Sequence, residues 1–329
     1  MKKIFTTLTV ALAALTSVSF AQQDPQFTQF MHSKLIYNPG YAGTSDAICA
    51  NVLYRQQWVN FPGAPKTALV SFDMPLGNLP IGIGLNVMSD QIGFDKSLFA
   101  RLALSYKRQV GPGNLGIGVD GGILQKSFNG AWITPDGPNS QDNSIPGYSY
   151  STASGTTITT NNNANLNKLS YDLGFGIYYG IANKMYVGIS STHLTAQDIA
   201  ANSNIKFALA RHYYLVGGYT FDLTPVHALT PNVKVKSDGA STQLDINLTY
   251  MYNKTFWFGV SYRMQDAIAP MLGAKFLKTK SLKIGYSYDV TTSKIKGYSS
   301  GTHEVMLGYC FNVKKPVKVT SYQNARFLD

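Results

Sequence analysis

The sequence predicts an all-β protein, a transmembrane outer-membrane barrel of about 14 antiparallel strands. Three observations carry that prediction. Charged residues make up 14% of the chain and aromatic residues 12%, whereas ordinary soluble domains are about 25% charged. Beyond Ala21 no apolar run approaches the roughly 20 residues that a spanning helix needs. Segment after segment instead alternates apolar with small or polar residues at period two, the pattern of strands with one face in lipid and the other in a polar lumen.

The N-terminus reads as an export signal. Lys2 and Lys3 precede an apolar core over 4–15, and Ser19-Phe20-Ala21 places small residues at the cleavage-specifying positions, so cleavage is expected after Ala21. The most apolar part, 10–15, is too short to span a bilayer. Residues 22–45 follow, with Phe27, Phe30, Tyr37 and Tyr41 but no alternation. Asp24-Pro25 and Asn38-Pro39-Gly40 are turn signals within it. An aromatic stretch that forms no strand needs shelter, and the lumen is nearest, so this segment is expected to plug or narrow the barrel.

Strands are expected at 46–59, 66–75, 80–89, 96–109, 114–127, 167–180, 184–194, 205–221, 228–236, 241–252, 255–264, 268–277, 281–290 and 302–313. The alternation is plain in Leu98, Ala100, Leu102, Leu104 and Tyr106 against Phe99, Arg101, Ala103, Ser105 and Lys107. It recurs in Val305, Leu307, Tyr309 and Phe311 against Glu304, Met306, Gly308 and Cys310. The eighth segment does not declare its face. Connections after even-numbered strands are short, as periplasmic turns are, and the others include a long one at about 129–166. Its Asn, Ser, Thr and Gly content predicts a loosely ordered external loop. The tail 314–329, with Lys314, Lys315, Lys318 and Arg326, is expected in the periplasm.

Asp73, Asp120, Asp172, Asp245 and Asp289 fall on inward positions, as do Arg55, Arg101, Lys107, Arg263, Lys275 and Lys283. Ion pairs filling the lumen explain them better than a conduction path. Cys49 and Cys310 both point inward on the first and last strands, which closure makes neighbours. They form a candidate seam pair, at separations a disulfide tolerates if the register is right.

Little points to chemistry. The five histidines form no H-x-H or H-E-x-x-H pair, so no metal site is expected. Ser191 and His193 share a face but lack an orienting third residue, so no enzyme and no cofactor are expected. Gly82-Ile83-Gly84 and Gly116-Ile117-Gly118 lack phosphate-loop spacing; glycines facing a lumen leave room for neighbours. The net charge of +11 comes without the clustered patch that nucleic-acid binding needs, and suits acidic lipid head groups or a charged lumen. At the external end of the first hairpin, Arg55, Trp58, Phe61, Pro62 and Pro65 are candidates for partner contact, with Trp58 equally suited to an interfacial aromatic girdle.

Specific motifs lie at both ends. Gln23-Asp24-Pro25-Gln26-Phe27-Thr28-Gln29-Phe30, Tyr37-Asn38-Pro39-Gly40-Tyr41-Ala42-Gly43, Tyr54-Arg55-Gln56-Gln57-Trp58 and Phe61-Pro62-Gly63-Ala64-Pro65-Lys66-Thr67 resemble the opening of the PorP/SprF family. Gly285-Tyr286-Ser287-Tyr288-Asp289, Gly301-Thr302-His303-Glu304-Val305-Met306-Leu307-Gly308-Tyr309 and Ala325-Arg326-Phe327-Leu328 extend the resemblance to the C-terminus. The family usually has proline where this chain has Ala325, which leaves the tail less rigid here. The resemblance implies an outer-membrane component of the type IX secretion system. Its expected partners are secretion-machine proteins on the periplasmic side and secreted or surface-anchored cargo, including gliding adhesins. The alternatives are a fatty-acid-channel-like transporter for small hydrophobic molecules and a diffusion porin.

Overall fold

A computed structural model describes residues 24–129, 149–151, 157–159, 165–195, 198–200, 206–277 and 281–312. The expected signal peptide, most of the 129–166 loop and the 314–329 tail lie outside the described residues. Fourteen strands form the wall: β1 (Ala47–Gln56), β2 (Lys66–Pro75), β3 (Ile81–Ile92), β4 (Asp95–Val110), β5 (Gly113–Asn129), β6 (Asn165–Ile181), β7 (Met185–Thr192), β8 (His212–Tyr219), β9 (His227–Ser237), β10 (Thr242–Tyr252), β11 (Phe256–Arg263), β12 (Ala267–Phe276), β13 (Leu282–Thr291) and β14 (Thr302–Asn312). Each pairs antiparallel with its sequence neighbours, and β1 pairs with β14 to close the barrel. Among the described residues, closure gives every wall strand ladder partners on both sides.

The two faces sort as the alternation predicts. Leu102, Leu104, Tyr171, Ile189, Phe258 and Phe311 stand outward and exposed, as a lipid-facing surface requires. On the inner face Arg55, Arg101, Lys107, Arg263 and the five aspartates Asp73, Asp120, Asp172, Asp245 and Asp289 are buried. Cys49 and Cys310 are direct register partners across the β1–β14 seam and are joined by a disulfide, with Cα atoms 4.1 Å apart.

What buries the inner face is the N-terminal segment. Residues 24–46 thread the lumen through three short 3-10 turns, Phe30–His32, Lys34–Ile36 and Pro39–Tyr41. Phe27, Phe30 and Tyr37 join Leu53, Leu69, Met88, Phe99, Leu124, Tyr214 and Met271 in the apolar core, while Tyr41 packs against Tyr178 with ring centroids 5.1 Å apart. The expected plug is therefore present. Its two ends lie at opposite ends of the lumen. Asp24 contacts His193 and His212, at the β7–β8 end that carries the long connections, whereas Thr44 and Asp46 meet Asn114 and Lys107 near the β4–β5 turn. The segment runs the length of the lumen before β1 begins.

Three further expectations need correction. The span 205–221 is not one strand: only His212–Tyr219 belongs to the wall, because Lys206–Ala208 pairs with Asp198–Ala200 in a separate hairpin. Phe221–Asp222 is a short extension on β9. The 129–166 connection is also shorter than expected, because β5 and β6 stay paired out to Asn129 and Asn165, and Ser149–Ser151 pairs with Thr157–Thr159 beyond them. The β3–β4 turn shrinks to Gly93-Phe94, with Gly93 at φ +57, a left-handed conformation that glycine adopts without strain.

Candidate functional site

Two features combine to make the site: a lumen closed by residues 24–46, and the mouth around the first hairpin. The plug is held at three levels.

Near the long-loop ends of β1, β11, β13 and β14, buried charges converge on the plug backbone. Arg55 reaches Asp289 at 2.7 Å and Glu304 at 2.9 Å, and Arg263 reaches the same Asp289 at 3.2 Å. Lys234 pairs with Asp245 at 2.7 Å. The carboxylate of Glu304 accepts two consecutive backbone N–H groups, from Thr28 and Gln29, both at 2.8 Å. Thr28 donates its hydroxyl to Asp289 and accepts from Arg55 at 2.9 Å. Each buried ion thus has an opposite charge and hydrogen bonds beside it, the condition under which burial of charge is tolerated.

Toward the short-turn end, glycine makes the room. Asn38 donates to the carbonyl oxygens of Ile177 at 2.9 Å and Ile189 at 3.2 Å, while its own carbonyl oxygen caps Gly40 N–H at 2.9 Å. Pro39 and Gly40 lie against Gly116, Gly118 and Gly176, where any Cβ would collide with plug backbone or with Asn38. The inward glycines of β5 and β6 leave space, as expected, and the Asn38-Pro39-Gly40 turn occupies it. Ser190 and Ser105 donate to the carbonyls of Tyr37 and Gly40, and Lys107 to that of Gly43.

The plug also buries titratable groups. Burial, reinforced by Lys283, Lys34 and Lys275, pushes His32 down to about 3, and its ring packs 5.3 Å from that of Trp257. Burial and then Lys283 push Lys34 down to about 7. Its ammonium sits 3.6 Å from the ring centroid of Tyr186 and donates to Tyr178 at 3.3 Å. Toward the long-loop end, Asp24 accepts from Tyr214 at 2.6 Å and lies 2.8 Å from His193, with His212 beside it. Burial alone would raise its carboxyl, but the two histidines hold it well below the ordinary value.

The five candidate contact residues separate. Arg55 is 1% exposed and committed to Asp289, Glu304 and Thr28, so it is a plug anchor and not a surface contact. Pro65 is buried as well. Trp58 is half-buried at φ +48, with its N–H donating to Thr302. Phe61 and Pro62 remain exposed. Their loop is tied to the 292–301 connection through Val59 N–H to Gly301 and Asn60 to Ser300. Beside it opens a cavity of about 330 Å³ lined by Asn60, Phe61, Lys66 and Gln91 among others. Of the plug candidates, Phe27, Phe30 and Tyr37 are fully buried and Tyr41 half-buried.

Sequence reasoning missed the roles of Thr28, Asn38 and His212. Asn38 sat in a recognised turn motif, and the inward glycine rows were a readable sign that backbone approaches there. His212 gave no local signal.

The PorP/SprF model of type IX secretion system membrane proteins matches residues 19–309. No curated protein sequence matches the chain. Among solved structures, the chain is similar to the toluene transporter TbuX of Ralstonia pickettii at 11% identity and a TM-score of 0.46, covering 86% of this chain and 94% of that one. It is similar to the CymD monoaromatic hydrocarbon channel at 12% identity and a TM-score of 0.48, covering 90% and 95%. Omp33 of Acinetobacter baumannii gives 7% and 0.42, covering 81% and 99%. Likenesses this distant say nothing of what the chain binds or carries. The family match spans nearly all of the barrel, and the chain belongs to the PorP/SprF family, an outer-membrane barrel of the type IX secretion system.

Proposed function

We propose that this barrel serves type IX secretion as a plugged binding platform, not as a conduit and not as an enzyme. The observation that carries the reading is the attachment of residues 24–46 to the wall from one mouth to the other, through buried ion pairs, side chain–backbone hydrogen bonds and glycine-lined contact. A diffusion porin needs an open lumen and a transporter for hydrophobic molecules a continuous apolar pocket, whereas residues 24–46 meet buried charge along the described lumen. The surfaces left for partners are the two ends. At the long-loop end, Phe61 and Pro62 project from a hairpin braced against the 292–301 connection, a rigid apolar tip suited to protein contact. Secreted or surface-anchored cargo is its occupant. The basic 314–329 segment, with Lys314, Lys315, Lys318 and Arg326, is the part of the chain offered to periplasmic machine components.

Site-specific photo-crosslinking in native outer membranes tests this. A crosslinker at Phe61 is expected to capture a secreted protein or a secretion-machine component, while one at lipid-facing Leu102 captures neither. A large, steady conductance from the intact protein in planar bilayers, unchanged when residues 24–44 are deleted, would overturn the reading in favour of a porin.

A further inference from the structure

The plug's first described residue enters a cluster that its anchoring does not explain. His193 directly follows β7 at φ +55, a turn that carries its ring back into the lumen, where it is fully buried. His212 opens β8, paired in register with Thr192, and its ring meets that of His193 edge-on at 5.6 Å. Asp24 lies between them. Its Oδ1 is 2.8 Å from His193 Nε2, and its backbone nitrogen is 3.3 Å from His212 Nε2. One ligand atom from each of the three residues falls within 4.8 Å of the others.

The second nitrogen of each ring is already directed elsewhere. His212 Nδ1 is 2.9 Å from the carbonyl oxygen of Ala210, which only accepts, so that nitrogen carries the proton and Nε2 keeps its lone pair. The Asp24 N–H facing His212 Nε2 agrees with that tautomer. His193 Nδ1 stands 3.0 Å from Asp172 Oδ2, yet neither atom completes a well-formed hydrogen bond. His193 Nε2 faces the Asp24 carboxylate at 2.8 Å, with Arg101 3.3 Å away, so an ion bound here takes the place of the Nε2 proton. Two imidazole nitrogens and a carboxylate thus converge, and the far nitrogens face a backbone carbonyl and a carboxylate. That outer arrangement is the one that orients histidines on metals.

We propose that Asp24, His193 and His212 form a binding site for a divalent transition-metal ion of the zinc type, closing the plug's leading end onto β7 and β8. Two nitrogens and one carboxylate oxygen leave a fourth position open, for water or for the Tyr214 hydroxyl that already touches Asp24 at 2.6 Å. Tetrahedral ligands at bonds of ~2.1 Å sit roughly 3.4 Å apart, so the cluster contracts slightly around the ion, and Asp24, on a plug segment and not on a wall strand, supplies the movement. Asp172, paired with Arg101 at 2.9 Å, offsets the guanidinium nearest the site. The metal acts as a clasp: bound, it pins the start of the plug; removed, it leaves that start on hydrogen bonds alone.

Untagged, folded protein stripped with chelator and then titrated with cobalt(II) and zinc(II) tests the site. About one equivalent of zinc-displaceable cobalt is expected, with visible d–d absorption of a four-coordinate nitrogen–oxygen site. His193→Ala combined with His212→Ala should abolish the signal, Asp172→Asn should weaken binding about tenfold, and His227→Ala should change nothing. Barrel folding is verified by heat-modifiable mobility, and Asp24→Ala, which changes the plug and leaves every wall strand's sequence intact, serves if the histidine variants fail to fold. Zinc should also slow proteolysis of the plug's leading end. Absence of stoichiometric binding, or binding equal in wild type and Asp24→Ala, overturns the proposal.

Discussion

Arg55 on the first strand and Glu304 on the last are register partners across the seam and form a buried ion pair at 2.9 Å. The same Glu304 carboxylate takes the N–H groups of Thr28 and Gln29. One residue thereby joins barrel closure to plug docking. Glu304→Ala leaves Arg55 without one of its two carboxylates and two buried plug amides without an acceptor. Breaking a buried pair costs about 3–5 kcal/mol. The variant is expected to unfold at lower temperature in detergent and to expose residues 24–46 to protease. Unchanged protection would show that Glu304 is not the plug's anchor.

Gly116 tests the glycine track. Gly116→Val drives side-chain atoms into the Gly40 carbonyl, which is backbone and cannot swing aside. Overpacking of this kind costs about 1–3 kcal/mol. The wall itself is unaffected, so the barrel should still assemble while the plug loosens and single-channel openings appear. Gly121→Ala, whose added Cβ meets only Leu173 at an ordinary 3.5 Å, is the matched control and should behave as wild type.

The pH dependence of docking follows from His32 and Lys34. A released plug protonates His32 near 6.5, whereas the docked one resists down to about 3, so docking weakens as pH falls through that window. Lys34 acts with the same sign between its free value near 10.5 and about 7. Protease protection of residues 24–46 is therefore expected to decline on acidification. His32→Gln isolates the imidazole's contribution: it should flatten the profile between about pH 3 and 6.5. An identical profile in that variant would remove His32 from the account.

The seam disulfide gives a fourth expectation. Folded protein should show no thiol reactive to alkylation at Cys49 or Cys310 until it is reduced. A disulfide typically contributes about 2–4 kcal/mol; here the hydrogen-bonded seam shares the constraint, so reduction or Cys49→Ser should lower the unfolding temperature without opening the barrel. Alkylation of both residues in unreduced, folded protein would contradict the bond.

The amino-acid pattern is enough to specify the wall. Period-two alternation tells which side chains meet lipid and which meet the lumen, because a strand offers no other choice of face. That parity placed Arg55, Asp289 and Glu304 inside, and with even strand number and closure it brought Cys49 to Cys310. It also marked residues 24–46 as needing shelter, since aromatic side chains without strand periodicity have nowhere else to go. What the interior does was settled only by the folded arrangement. Alternation fixes a side chain's face but not its height or its partner across the lumen, so the ion pairing of Arg55 with both Asp289 and Glu304, and the meeting of Asp24 with His193 and His212, depended on register around the ring. Arg55 read as a mouth residue because it lies near a strand end. The plug passing beneath it turned it into an anchor, for a buried guanidinium is stable only where carboxylates reach it.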